Sequence, residues 1–170
     1  MTRLLLISDT HLPKRARVLP AEVWDEVERA DAVIHAGDWV DFALVDELSS
    51  RAQQLVGVWG NNDGADIRRV LPEIAHVEFD GIRIAVIHET GPATKREERM
   101  DAQFTRSDVL VFGHSHIPWD TTTPRGLRLL NPGSPTDRRR QSACTYMVVT
   151  TGGDGVDVEL RNLPLTSRTA

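Results

Sequence analysis

The fold of this chain is decided by the stretch Leu4-Leu5-Leu6-Ile7-Ser8-Asp9-Thr10-His11, in which a short apolar run ends in an aspartate and a histidine. Residues two apart in extended backbone point to the same side, so Asp9 and His11 can face one point. The apolar run is too short for a signal peptide or a membrane span. The sequence therefore predicts a first β-strand that carries two potential metal ligands at its carboxyl end.

Four more apolar runs of strand length end in metal-binding side chains. The runs and the groups that follow them are Ala32–Ala36 with Asp38, Leu55–Trp59 with Asn61, Ile82–Ile87 with His88, and Val109–Phe112 with His114 and His116. In sheets with helical crossovers, functional groups gather just beyond the carboxyl ends of the strands. We therefore expect all of these groups to converge on one pocket. Glycines at 37, 60 and 113 are expected to allow tight turns out of the strands.

The segments between these runs predict helices and hairpins. Helices are expected from Pro20 to Ala30, from Asp41 to Ala52 and from Thr94 to Phe104, and hairpins from Ile74 to Ile87 and from Thr145 to Leu163. The first hairpin turns at Asp80-Gly81, a strong hairpin signal. Early βαβ units followed by hairpins indicate a mixed sheet system, and we expect a single domain over residues 1–170.

Composition limits the functions that the chain can have. The 170 residues are 40% apolar and 26% charged, and the formal net charge of -5 argues against a nucleic-acid-binding surface. The single cysteine, Cys144, excludes an internal disulfide and a thiolate metal cluster, and we read it as a small buried hydrophobe. We expect a cytoplasmic protein without a membrane segment.

The predicted pocket contains two carboxylates, four imidazoles and one amide. This set of oxygen and nitrogen donors suits manganese, iron, zinc, cobalt or nickel. Seven ligands are too many for one tetrahedral site, so we expect two divalent ions that share a bridging carboxylate. Asp38 is the natural bridge.

These motifs resemble, in order, the signature of the calcineurin-like metallophosphoesterases. The matching segments are Asp9-Thr10-His11, Gly37-Asp38, Gly60-Asn61-Asn62-Asp63, His88 and Gly113-His114-Ser115-His116. Asn131-Pro132-Gly133-Ser134 is similar to a further motif of the small, single-domain prokaryotic phosphodiesterase branch. That branch shares its fold with the metallophosphoesterase-like subunit of retromer.

The resemblance implies a fold, a ligand set and a reaction. The fold would be α+β, a four-layer α/β/β/α sandwich with two mixed sheets face to face and helices outside. One metal would be bound by Asp9, His11, Asp38 and His116, and the other by Asp38, Asn61, His88 and His114. Manganese is the favoured metal. The reaction would be hydrolysis of a small or activated phosphodiester through a hydroxide that bridges the metals.

The substrate-handling residues are less fully defined. Asn62 stands where many family members have the histidine that contacts phosphate, and an amide has no titratable proton near neutral pH. We predict catalytic roles for Asn62 and Asp63, and contacts with a small phosphate-ester substrate for Asn62, His114 and Arg15. Glu89 follows His88 where the family usually has a glycine.

Several residues have a functional and an ordinary interpretation. His35 and His76 lie inside strand patterns, so a core or surface histidine is the better interpretation. The basic residues Lys14, Arg15, Arg17, Arg138, Arg139 and Arg140 could help to hold a substrate, although solvated loops are the default. Trp39 and Trp59 could line the pocket or simply pack.

Two other functions and one assembly remain open at this stage. A phosphomonoesterase would differ from a diesterase only in pocket detail. A non-enzymatic protein-binding scaffold of the same fold would not need all seven ligands. A homodimer is possible.

Overall fold

Residues 1–164 are described by the structure, a computed structural model of the chain. Within them the chain forms four helices and ten strands. The helices are α1 (Ala21–Arg29), α2 (Phe42–Arg51), α3 (Ala65–Val70) and α4 (Arg96–Gln103). The strands are β1 (Thr2–Ile7), β2 (Ala32–His35), β3 (Leu55–Gly57), β4 (Ile74–Phe79), β5 (Ile82–Ile87), β6 (Val109–Val111), β7 (Trp119–Thr122), β8 (Arg128–Asn131), β9 (Thr145–Gly152) and β10 (Gly155–Asn162).

The strands form two five-stranded mixed sheets. The first has the order β10-β9-β1-β2-β3 and the second the order β4-β5-β6-β8-β7. Three adjacent strands are parallel in each sheet: β1, β2 and β3 in the first, and β5, β6 and β8 in the second. The remaining strands pair in antiparallel fashion at the flanks.

The side chains of β1 show how the layers pack. Leu4 and Leu6 point into the apolar layer between the two sheets. Leu5 and Ile7 point the other way, into a cluster that contains the inner faces of α1 and α2. A third cluster joins the outer face of the second sheet to α4. Burial of each of these leucines stabilises the fold by about 1.5–3 kcal/mol relative to an exposed leucine. The four-layer α/β/β/α sandwich is therefore confirmed.

The local expectations were largely correct, with shorter elements than predicted. The strand expected over residues 55–59 ends at Gly57, since the backbone N–H of Trp59 bonds to Pro72 instead of to a neighbouring strand. The final hairpin turns on Gly153-Asp154 alone. α3, β7 and β8 were not predicted, because elements of four to six residues are too short to show a clear period.

Over residues 1–164, no helix combines the length and apolar character that crossing a bilayer requires.

Candidate metal centre

The structure brings together the seven side chains predicted as metal ligands. They follow five of the six parallel strands and lie at one edge of the sandwich: Asp9, His11, Asp38, Asn61, His88, His114 and His116. Two overlapping groups stand out, Asp9 with His11 and His116, and Asp9 with Asp38 and His88. Within each group the potential ligand atoms lie within 4.8 Å of one another.

Two carboxylates lie at the centre of the cluster. Asp38 Oδ2 is 3.4 Å from Nε2 of both His11 and His88. Asp9 Oδ1 is 3.5 Å from His116 Nε2, 3.9 Å from His11 Nε2 and 4.0 Å from His88 Nε2. The sequence singled out Asp38 as the shared carboxylate, and the structure adds Asp9, which belongs to both groups.

Buried imidazole nitrogens give an independent test of whether a cation fits. Within the described chain, Nε2 of His11 and Nε2 of His116 are buried and have no hydrogen-bond partner. His116 Nδ1 lies 2.7 Å from the carbonyl oxygen of Asp137, and His88 Nδ1 lies 2.7 Å from that of Ala36. A ring that donates from Nδ1 presents a lone pair at Nε2, which is how histidine binds metals. The residues therefore fit a divalent transition metal, which would remove the cost of these unpaired nitrogens, about 1–3 kcal/mol each.

The remaining two ligands lie on the solvent side. Asn61 Oδ1 is 3.0 Å from His88 Nε2 and 3.1 Å from His114 Nδ1. Asn61 is exposed and the side chain of His114 is 44% exposed, whereas that of His116 is fully buried. One side of the cluster is thus enclosed by protein and the other is open to water.

The ionisation of Asp38 and His116 in the metal-free centre suits a cation, whereas that of His88 competes with one. Burial opposes ionisation of Asp38, but hydrogen bonds from His88 and Asn62 outweigh it and hold the Asp38 pKa well below its ordinary value. Burial also opposes a charged His88, yet the carboxylates of Asp38 and Asp9 raise its pKa. Burial dominates at His116 and lowers its pKa. The centre therefore combines an ionised Asp38 with a neutral His116.

The ligands have unusual backbone conformations. Five of them lie in the left-handed region: Asp9 (φ 55°), His11 (φ 46°), Asp38 (φ 61°), His114 (φ 70°) and His116 (φ 60°). Non-glycine residues adopt this region at a cost of about 1–3 kcal/mol each, and such residues cluster at functional sites. The turns that aim the side chains into the pocket are therefore made by the ligand residues themselves.

The glycines beside the ligands have a different role from the one expected. Gly37 does make a turn with positive φ (93°), as the sequence predicted, whereas Gly60 and Gly113 do not. A Cβ on Gly113 would lie 2.7 Å from Asp9 Oδ2, and one on Gly60 would collide with Asp38. These two glycines leave room for the central carboxylates.

The Asn131–Ser134 motif holds the ligand loops in place. The Asn131 side chain donates a hydrogen bond to the carbonyl oxygen of Gly113 at 3.0 Å. The Ser134 hydroxyl donates to the carbonyl oxygen of Asp9 at 2.8 Å. Both side chains are buried. The motif supports the cluster from the end of β8, the sixth parallel strand.

Asp63, for which a catalytic role is predicted, holds two of the ligand loops together in the structure. Its carboxylate accepts backbone hydrogen bonds from Asp38 (2.9 Å), Val40 (2.7 Å) and Gly60 (2.7 Å). Burial raises the pKa of Asp63, although these N–H groups favour the ionised form. Because both oxygens are directed at backbone, Asp63 ties the Asp38 loop to the loop that carries Asn61.

Arg68, on α3, is a positioning residue that the sequence did not reveal. Its guanidinium donates to the carbonyl oxygens of Asp63 (2.8 Å), Gly60 (3.3 Å) and Asn61 (3.4 Å). It also lies 4.2 Å from the centroid of the Trp59 ring. Arg68 follows Asp63 by five residues, and no sequence motif marks an arginine at that spacing. The arginine reaches these carbonyl groups because it lies on helix α3, which was not predicted.

The predicted substrate residues lie at the edge of the cluster. Asn62 is exposed, and its side-chain amide donates to Asp38 Oδ2 at 2.7 Å. Arg15 is 63% exposed, and its Nε lies 3.3 Å from Asp137 Oδ2. Glu89 Oε1 is 3.8 Å from His114 Nε2. All three lie close to the ligands, and the substrate contacts of Asn62, Arg15 and His114 stay predictions.

His35 and His76 do not join the cluster. His35 is fully buried, stacks on Trp39 with ring centroids 3.6 Å apart, and accepts a hydrogen bond from the backbone N–H of Gly37 at 3.2 Å. Burial, reinforced by the charge of His88, holds the His35 pKa well below its ordinary value. His76 is exposed on β4. Both are therefore ordinary core and surface histidines, and Trp39 is a core residue.

Two relatives share much of the sequence. "Probable metallophosphoesterase MJ0623" of Methanocaldococcus jannaschii is 39% identical over 135 residues, which are 77% of this chain and 67% of the relative. "Phosphodiesterase MJ0936" of the same organism is 26% identical over 124 residues, 65% of this chain and 71% of the relative.

Solved structures share the fold. Protein TM1076 of Thermotoga maritima superposes with a TM-score of 0.76 at 35% identity, over 96% of this chain and all of that one. Vps29 of Chaetomium thermophilum superposes with a TM-score of 0.75 at 20% identity over the full length of both chains, a likeness of fold alone. The family model of the calcineurin-like phosphoesterase superfamily domain matches residues 2–154. With this match and the clustered metal ligands, the chain belongs to the calcineurin-like phosphoesterase superfamily.

Proposed function

We propose that this protein is a phosphodiesterase that hydrolyses a small or activated phosphodiester at a centre of two divalent metal ions. The observation that carries the proposal is the overlap of the two ligand groups at their shared carboxylates. Asp9 belongs to both groups, and Asp38 is equally distant from a histidine of each. A set of seven donors around shared carboxylates exceeds the needs of one ion, and its mixed oxygen and nitrogen character suits manganese, iron, cobalt, nickel or zinc, of which we propose manganese.

The residues of the chain position the reactants. Bound divalent ions would supply the Lewis acid that activates water near neutral pH and neutralises charge on the phosphoryl oxygens. Asn62, which lies against Asp38, can offer its amide N–H groups to a phosphoryl oxygen. His114 is partly exposed beside Asn61, so its ring can reach the same group from the other side.

One observation supports a diester as the substrate, and a second concerns the leaving group that the site can handle. The name of the relative MJ0936 describes it as a phosphodiesterase. Asn62 has no titratable proton near neutral pH, so it cannot protonate a poor leaving group. Activated diesters, whose leaving group departs unprotonated, need no such proton.

The complete ligand set argues for catalysis over a docking scaffold. The likeness to Vps29 concerns the fold, whereas seven converging donors and two unpaired buried imidazole nitrogens are features of a metal site. A scaffold would not need to maintain these costly groups.

The proposal is tested with two chromogenic esters and metal add-back. Metal-free protein is prepared with a chelator, and Mn²⁺, Co²⁺, Ni²⁺ or Zn²⁺ is restored before assay on bis-p-nitrophenyl phosphate and p-nitrophenyl phosphate. We expect about two ions per chain, inactivity without metal, and faster hydrolysis of the diester. Full activity without metal would refute the metal-dependent reaction, and preference for the monoester would identify a phosphomonoesterase instead.

A further inference from the structure

Two strongly basic loops lie beside the enclosed side of the metal centre. The first basic loop, residues 13–18, contains Lys14, Arg15 and Arg17, and the second, residues 137–141, contains Arg138, Arg139 and Arg140. All six side chains are exposed, and Asp137 is the one carboxylate in the two segments. The chain as a whole has a formal net charge of -5, so the positive charge of these loops is local, and it would attract an anionic ligand.

Both loops are attached directly to metal-ligand residues. The backbone N–H of Arg15 donates to the carbonyl oxygen of His11 at 3.0 Å. The carbonyl oxygen of Asp137 accepts from His116 Nδ1 at 2.7 Å. Asp137 Oδ2 also lies 3.3 Å from Arg15 Nε, which joins the two loops to each other. The basic loops are therefore held in a fixed position next to His11 and His116.

Most of the positive charge in these loops is unpaired. Within residues 1–164, Arg15 forms a salt bridge, whereas Lys14, Arg17, Arg139 and Arg140 form none. Elsewhere in the described chain, the exposed arginine of β5 and the half-buried arginine of β8 are paired with aspartates. The loops thus present free cations at the edge of the pocket.

The opposite side of the centre has the opposite character. A cavity of about 140 Å³ borders His88 and Asn61 and has Trp59 and Ile74 in its wall. Its charged groups are carboxylates, among them Glu73. The Arg68 cation near Trp59 is already bound to three backbone carbonyl oxygens. This side suits an uncharged, flat or apolar group and repels a second phosphate.

From this asymmetry we propose that the substrate is a phosphodiester with one uncharged ester group, seated in the Trp59 cavity, and a second phosphate group on the other ester arm, bound by the two basic loops. The inference rests on the proposed diesterase function and defines its substrate class. A single phosphate rather than a long polyanion fits, because the basic patch is confined to two short loops.

The test compares substrates that differ only in the second phosphate. Thymidine 5′-p-nitrophenyl phosphate and its 3′-phosphorylated form both release p-nitrophenolate, so their kcat/KM values compare directly. We expect the phosphorylated form to be preferred about tenfold at low salt, with the preference shrinking at high salt. Binding of thymidine 3′,5′-bisphosphate and thymidine 5′-monophosphate to the metal-free protein gives a readout that does not depend on turnover.

Matched variants separate the basic loops from general charge. In Arg139→Gln/Arg140→Gln the preference should fall to about twofold or less. Arg106→Gln removes an exposed arginine near the amino end of β6, away from the metal centre, and should keep the wild-type ratio. The same pair of esters built on glycerol tests whether the nucleoside matters. If the phosphorylated glycerol ester is preferred as strongly as the phosphorylated thymidine ester, the substrates are of the phosphosugar type. If the preference occurs with thymidine alone, the substrates are nucleotides.

The outcomes distinguish this inference from the proposed function. If bis-p-nitrophenyl phosphate is hydrolysed but the phosphorylated and unphosphorylated esters react equally in every variant, the basic loops do not bind substrate and the inference is wrong. If neither bis-p-nitrophenyl phosphate nor the thymidine esters are hydrolysed with any of the metals, the proposed diesterase function itself is wrong.

Discussion

The enclosed and open halves of the metal centre are built in different ways. In the enclosed half, the rings of His11 and His116 are covered by protein, and their unpaired Nε2 atoms face the central carboxylates of Asp38 and Asp9. In the open half, Asn61 and His114 face water and bond to each other across the cluster.

The supports of the two halves differ as well. His116 is fixed by the backbone carbonyl of Asp137, in the loop that follows the Asn131–Ser134 motif. The Asn61 loop is held from outside by the guanidinium of Arg68, which is itself exposed. The comparison suggests that the enclosed half is arranged for retention of a metal and the open half for exchange of water and substrate.

Asp38→Asn should give the largest effect, because Asp38 is a central carboxylate that lies 3.4 Å from a histidine of each ligand group. We expect metal affinity to fall by more than about 100-fold in both halves. Removing a residue that only hydrogen-bonds to a metal ligand already lowers metal affinity by about 10–100-fold. Metal content after gel filtration measures it, with the exposed Asp46→Asn as control. Loss confined to one half would show that Asp9 alone bridges the halves.

A matched pair of histidine variants tests the comparison itself. We expect His116→Gln to weaken metal binding in the enclosed half by about 100-fold and His114→Gln to weaken the open half by only about tenfold. Titration with Mn²⁺ against a competing chelator measures both. Equal losses would mean that burial does not distinguish the halves.

Acid should empty the halves in order. The pKa of His88 is raised by Asp38 and Asp9 against the effect of burial, so protons compete with metal there as the pH falls through that raised value. Burial lowers the pKa of His116, which therefore stays neutral and able to bind to lower pH. We expect the open half, to which His88 belongs through its contact with Asn61, to lose metal first, by about tenfold in affinity per pH unit for each competing proton. A pH series of bound metal checks it, and simultaneous loss from both halves would contradict it.

The smallest effect is expected from the support of the open half. Arg68→Gln removes donors from three carbonyl groups of the Asn61 loop, and should weaken metal in that half by a few-fold with a loss of about 1–2 kcal/mol in unfolding free energy. Arg69→Gln, at the exposed neighbouring position, should change neither. If Arg68→Gln disturbed the enclosed half equally, the two halves would not be supported separately.

The sequence predicted the architecture because apolar runs and turn residues are local signals. Most strands, both hairpins and the helices α1, α2 and α4 followed from such patterns, and the cluster of ligands followed from the parallel strands ending at one edge. The shared position of Asp9, the positioning role of Asp63 and the contacts of Arg68 could not be predicted. They depend on distances between loops far apart in the chain, which no local pattern records.

The left-handed backbone of the ligand residues limits which substitutions evolution can accept at these positions. Glycine, asparagine and aspartate tolerate that conformation best, so folding constrains these positions even without any demand for metal binding. A lineage that abandoned the chemistry would be free to lose His114 or His116, but the cheapest replacements would be glycine or asparagine rather than a random residue. Such substitutions at these positions would mark a descendant that has kept the shape and given up the reaction.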